Sequence, residues 1–125
     1  MDAIFSIKPH YAELILSGVK RYEYRRTLMR ETVDKVYIYA TAPVKKVVGY
    51  FTIKKVISDH PLEVWRKTYK YGGIEQQDYQ DYFNGKTKAY AYEIDKVVKF
   101  DEPIEYKEID KKGVVPMSYK YLRGD

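Results

Sequence analysis

The apolar positions of "AIFSI" (residues 3–7) alternate enough to predict a short strand. The period then changes. In "KPHYAELILSG", Tyr11, Ala12, Ile15 and Leu16 fall on one helical face, Pro9 suits the first turn, and Gly18 stops the helix. "KRYEYRR" (20–26) predicts a strand with Lys20, Tyr22 and Tyr24 on one side and Arg21, Glu23 and Arg25 on the other. Two apolar-rich strands follow, "KVYIYA" (35–40) and "KVVGYFTIKKVI" (46–57), joined by a turn carrying Pro43. Asp59-His60-Pro61 opens a helix in which Leu62, Trp65 and Tyr69 share a face, and Gly72-Gly73 closes it. "IEQQDYQDYFNG" predicts a second short helix burying Tyr79, Tyr82 and Phe83. "KAYAYEIDKVVKF" (88–100) returns to strand and is interrupted at Glu102-Pro103, and "VVPMSYKYL" (114–122) is a last extended piece.

Strands precede, flank and follow the helices without a βαβαβ rhythm, and no internal repeat is present. The pattern predicts an α+β chain, mainly β: a mixed barrel-like core with helices at its openings. At 125 residues the chain suits one domain, 1–125, able to enclose one core. With 45% hydrophobic and 33% charged residues and no low-complexity tract, it reads as a folded protein. Apolar runs such as "VYIYA" fall well short of the roughly 18 residues a bilayer span needs, so no membrane partner is expected. The start "MDAIFSIKPH" lacks the layout of a secretory signal. The absence of cysteine excludes a disulfide framework, a thiolate zinc site and a cysteine nucleophile. Together these features lead us to expect a cytoplasmic protein.

A formal net charge of +5 and a pI near 9.2 favour anionic partners. Fifteen tyrosines suit half-buried positions on a small sheet, and a few are available to stack on bases. The sharpest local signal is "SGVKRYEYRR" (17–26), where Glu23 lies between Arg21 and Arg25, each about 7 Å away along a strand. A surface ion-pair ladder would look the same and be worth little. What favours a site is Lys20, which the end of the first helix delivers to the strand carrying Glu23 and Arg25. His10 and His60 stand far apart with no ligand spacing around them, so no metal is expected. No phosphate-binding glycine loop is present and no cofactor is expected. Lys45-Lys46 and Lys54-Lys55 read singly as edge protection; with Arg21, Arg25, Arg26 and Arg30 they would form a basic track leaving the site.

Gly18-x-Lys20-x-x-Glu23-x-Arg25 resembles the G-x-K-x-x-E-x-R signature of the ASCH domain, within the PUA-like superfamily. The order of elements around it is similar too, from "SIKP" through "VYIYATAPVKKVVGYFTI" to "AYAYEIDKVVKFDEPI", over roughly residues 3–122. In "VVPMSYKYL", Met117 stands where PUA-like relatives usually carry glutamine. The resemblance implies a PUA-like mixed β-pseudobarrel with flanking helices, and a signature-lined cleft beside the first helix. It also implies RNA or nucleotide recognition, often linked to translation or transcription, with hydrolases among some members. Lys20 would then be the cation of the cleft, Arg25 an anion fork and Glu23 the acceptor or orienting carboxylate. Ser6 and Lys8 would lie near the first helix's N-terminus, Thr41 would face the same mouth, and Arg26 would extend the basic lining. If the chain is an enzyme, a ribonuclease or an acylated-nucleoside amidohydrolase, Lys20 and Glu23 are its candidate catalytic pair. The amidohydrolase branch carries a threonine nucleophile where Glu23 stands, which counts against that chemistry; Glu75 is the candidate for the glutamate that branch takes from its helical region. A protein-interaction domain, its motif merely tying helix to barrel, is the third possibility.

Overall fold

A computed structural model describes residues 1–111 and 113–123. The elements run β1 (Asp2–Ile7), α1 (Pro9–Leu16), β2 (Tyr22–Arg25), β3 (Val36–Ala40), β4 (Lys46–Asp59), α2 (Pro61–Thr68), α3 (Gln76–Tyr82), β5 (Ala89–Ile104) and β6 (Tyr119–Leu122). A 3-10 turn over Tyr69–Tyr71 follows α2, and another covers Tyr106–Glu108. The six strands form one mixed sheet in the order β2-β5-β4-β3-β1-β6, with β1 and β3 its parallel pair. This is the mainly-β α+β architecture that the strand rhythm predicts.

The sheet curls. Although β2 and β6 stand at opposite ends of the strand order, the Arg25 guanidinium at the end of β2 bonds Ser118 beside β6 and the Ser6 carbonyl of β1. Inside the curl, Phe5 of β1 packs edge-on against Tyr92 of β5 and Phe51 of β4, with Ile15 and Ala12 of α1 closing one opening. Ala3 and Ile7 of β1, Val36, Ile38 and Ala40 of β3 and Ile94 of β5 supply most of the rest of this core. A second cluster, Val64, Tyr79, Phe83, Ala89 and Ala91 around Tyr24, seats α2 and α3 against β2 and β5.

Two local expectations change. The strand predicted to break at Glu102-Pro103 runs through Pro103 to Ile104. Beyond Glu93, β5 has lost β2 as a neighbour and pairs with β4 alone, so a proline without an N–H is tolerated on the free edge. In α2 the buried stripe is Pro61, Val64 and Thr68, while Leu62 and Tyr69 are exposed and Trp65 is half-buried. The helix is rotated so that Thr68 can bond the Tyr24 hydroxyl (2.8 Å) and the Val64 carbonyl (2.7 Å), which satisfies a buried hydroxyl.

Candidate functional site

Gly18, at φ +85°, ends α1 and turns the chain so that the Lys20 backbone N–H returns to the Leu14 carbonyl. Lys20 therefore precedes β2 rather than belonging to it, and the strict alternation predicted across 20–26 does not hold. Lys20, Glu23 and Arg25 are all buried, whereas Arg21 is exposed and uses its backbone to bond Tyr71 and Ile94. Glu23 is thus flanked on one side only, by Arg25, whose Nε donates to Glu23 Oε2 at 3.1 Å.

The three residues meet in a cleft of about 730 Å³ between β1, α1, β2 and α3. All seven residues singled out in the sequence, Ser6, Lys8, Lys20, Glu23, Arg25, Arg26 and Thr41, line it. Their side chains differ in what they have left to offer a ligand. Ser6 donates its hydroxyl to the Pro116 carbonyl (2.7 Å), holding the segment ahead of β6. Arg25 spends Nε on Glu23, Nη1 on Ser118 and Nη2 on the Ser6 carbonyl, while its plane lies 4.3 Å from the Phe5 ring centroid. Its fork is largely occupied within the protein, where it closes the curl and orients Glu23. Arg26 stacks 4.1 Å from the Tyr82 ring centroid and donates to the Tyr82 carbonyl. Lys8 is exposed at the start of α1, and Thr41 lies beside it, its backbone N–H donating to the Ile7 carbonyl.

Lys20 is the unusual group. It is 2% exposed, and its Nζ donates to the Gly72 carbonyl between the faces of Tyr24 and Tyr11, 4.7 and 5.3 Å from their centroids. One carbonyl satisfies only one of three N–H donors, and the side chain opens on the cleft. Burial pulls its pKa from 10.5 down to about 8; Glu23 opposes the shift and Arg25 adds to it. The Gly72-Gly73 pair, predicted as a helix stop, packs directly on this side chain. A Cβ on Gly73 (φ +63°) would lie 2.6 Å from Lys20 Cβ, and one on Gly72 would overlap the Tyr24 hydroxyl.

The model of the ASCH domain matches residues 5–103. The chain belongs to the ASCH family. It is 30% identical to an ASCH domain-containing ribonuclease of Zymomonas mobilis, the alignment spanning 98% of this chain and 84% of that protein. The crystal structure of an ASCH protein from Zymomonas mobilis superposes with a TM-score of 0.89 at 31% identity, over 98% of this chain and 87% of the other. A tyrosine-to-phenylalanine and a serine-to-alanine mutant of that protein give the same score. The large ribosomal subunit protein uL22 of Ureaplasma parvum is also similar, 31% identical over 96% of this chain, which spans 39% of that protein's length.

Sequence reasoning missed one wall of the ASCH cleft. Asp78, Asp81 and Tyr82 of α3 line it, with Ile74 just ahead of the helix. Their i, i+3, i+4 spacing was visible, but the tyrosine pattern assigned Tyr82 to the core together with Tyr79 and Phe83. Glu75, the helical-region glutamate singled out, is exposed at the start of α3 and does not line the cleft; Asp78 and Asp81 are the carboxylates facing it. Ser118 and Met117, noticed only through the "PMS" likeness, line it as well. The paired lysines lie elsewhere: Lys46 meets Glu105, and Lys54 and Lys55 flank Glu93. His60 caps α2 by accepting from Leu62 N–H, and among the described residues no group of three or more His, Cys, Asp or Glu could hold a metal ion. None of the described helices is long and apolar enough to cross a membrane.

Proposed function

We propose that this ASCH protein binds RNA, taking a nucleotide of a single strand into the cleft. The observation that carries the reading is Lys20: a buried ammonium with donors to spare, held between two tyrosine faces at the cleft wall. A strand of RNA offers what such a wall lacks, an anion for Lys20 and Lys8 and a base to lie against Tyr11 or Tyr82. The likeness to a named ribonuclease over nearly the whole chain supports RNA as the ligand.

A second reading, cleavage of the bound strand, is favoured by the depressed pKa of the same lysine. Near pH 8 a substantial fraction of Lys20 is the neutral amine, which can take the proton of a ribose 2′-hydroxyl. That oxygen then attacks the adjacent phosphorus, the bond from phosphorus to the 5′ oxygen breaks, and the proton is returned to the leaving 5′ oxygen. The products are a 2′,3′-cyclic phosphate and a 5′-hydroxyl. Glu23, fixed by Arg25, lies close enough to Lys20 to bias its protonation.

The test is to incubate the protein with single-stranded RNA and, separately, with N4-acylated cytidine, and to read products by mass spectrometry. Binding of RNA that weakens at least ten-fold in Lys20→Ala supports the first reading; unchanged affinity overturns it. Cyclic-phosphate ends that vanish in Lys20→Ala and in Lys20→Arg support the second. Release of free cytidine instead would replace it with nucleoside hydrolysis.

A further inference from the structure

The rotation of α2 leaves an unexplained surface. Of the stripe whose spacing predicts a core face, Leu62 is 54% and Tyr69 49% exposed, while Trp65 is half-buried, one side of it packed on Tyr79. Trp65 and Tyr69 stand 5.9 Å apart with ring planes only 31° from parallel, and Tyr71 beyond them is 58% exposed. Between these rings the seven residues "WRKTYKY" (65–71) place Arg66, Lys67 and Lys70 and no acid. Arg66 and Lys67 make only loose, exposed contacts with Glu63 (3.4 Å) and Asp59 (3.6 Å), and Lys70 has no ion pair among the described residues.

We propose that this face is a second contact surface for single-stranded RNA, continuing the strand held in the cleft. The proposal rests on RNA being the cleft's ligand. Continuity favours it: Tyr71 directly precedes Gly72, whose carbonyl holds Lys20, and Ile74 lines the cleft two residues later. The chain therefore passes from this face directly into the segment, Gly72 to Ile74, that holds Lys20 and lines the cleft. Its chemistry matches the same partner. Exposed aromatic faces with cations between them accept successive bases and phosphates of a strand whose bases are unstacked, without regard to sequence. A base pair inside a duplex cannot offer its face in this way.

The probes are 2′-O-methyl oligouridylates, which lack the free 2′-hydroxyl needed for cleavage, in two lengths: a mononucleotide and a strand of about twelve residues. Binding is read by quenching of Trp65, the single tryptophan, and by anisotropy of an end-labelled strand. The twelve-residue strand is expected to bind more tightly than the mononucleotide and to quench Trp65, which the mononucleotide does not. The variant Tyr69→Ala/Tyr71→Ala is expected to lose about five-fold or more in affinity for the long strand for each ring removed, with mononucleotide binding within two-fold of wild type. Lys70→Glu is expected to weaken the long strand selectively as well. Both alterations are at exposed positions, and unchanged melting confirms that the variants fold. Wild-type affinity of the tyrosine variant for the long strand overturns this surface, whatever Lys20→Ala does. A duplex that competes as well as the single strand also overturns it. If Lys20→Ala leaves every affinity unchanged while the tyrosine variant still loses the long strand, the cleft reading falls and with it the continuation, leaving this face as an RNA contact on its own.

Discussion

Lys20 pays a folding cost for its position. Its pKa is about 8 in the folded chain against 10.5 when exposed, so the fold prefers the neutral amine. Below pH 8 both folded and unfolded chains carry the proton, and the whole penalty is present, on the order of 3 kcal/mol. Between pH 8 and 10.5 the unfolded chain holds a proton that the folded chain has lost, so stability contributed by this site rises with pH. Lys20→Met should therefore abolish RNA binding yet melt higher than wild type at pH 7, by roughly 1–3 kcal/mol, and the gain should shrink as pH passes 9. Parallel melts of the two proteins across that range check it; a Lys20→Met protein less stable at pH 7 would show that the ammonium is held favourably. Gly73→Ala tests the packing behind it. The new methyl meets Lys20 Cβ at 2.6 Å in a backbone conformation that alanine resists, so a loss of about 1–3 kcal/mol is expected, together with weaker RNA binding.

Arg25 acts between elements. Through one guanidinium it joins β2 to β1 and to the segment leading into β6, so that the two ends of the sheet order meet across the cleft floor. Arg25→Ala should cost about 3 kcal/mol or more, because Glu23 would remain buried without its partner. Arg25→Lys keeps a charge but not the three-way fork, and should raise hydrogen exchange in Tyr119–Leu122 before it affects β4. Equal protection of β6 in wild type and variant would remove Arg25 from this role. At this scale the sequence was informative where period and punctuation agree. The strand-helix order, Gly18 as a helix stop and all seven cleft-lining candidates were legible from local pattern and the signature G-x-K-x-x-E-x-R. What was not legible depends on contacts far apart in sequence. The rotation of α2 is set by the Tyr24 bond to Thr68, 44 residues away, and Arg25's commitment by Ser118, 93 residues away. Local periodicity carries no term for either. Tyr82 was misassigned for a related reason: tyrosine fits a core and a wet cleft equally well, so its side depends on the partner surface.

For the whole molecule, the question is whether a net charge of +5 simply attracts any polyanion. The cleft argues against a purely diffuse effect, since Asp78 and Asp81 line it together with Lys8, Lys20 and Arg26 and would repel a phosphate placed wrongly. Localised contacts and diffuse attraction predict different responses to salt. Each phosphate neutralised by a specific cation contributes a slope of about −0.7 in log affinity against log salt for a single strand. With one phosphate to neutralise, a mononucleotide should show a slope near −0.7, and the longer strand, reaching Lys8, Lys20, Arg66, Lys67 and Lys70, one near −3.5. Lys70→Glu should then flatten the long-strand slope by about 0.7 while leaving the mononucleotide slope as it was, and Lys20→Ala should flatten both. Titrations of wild type and both variants between 50 and 300 mM salt, roughly the range over which counterion release is measured, separate the cases. If substitutions at remote lysines such as Lys54 or Lys99 flatten the slopes as much as these do, the attraction belongs to the total charge, and the cleft and its neighbouring face hold no privileged place in it.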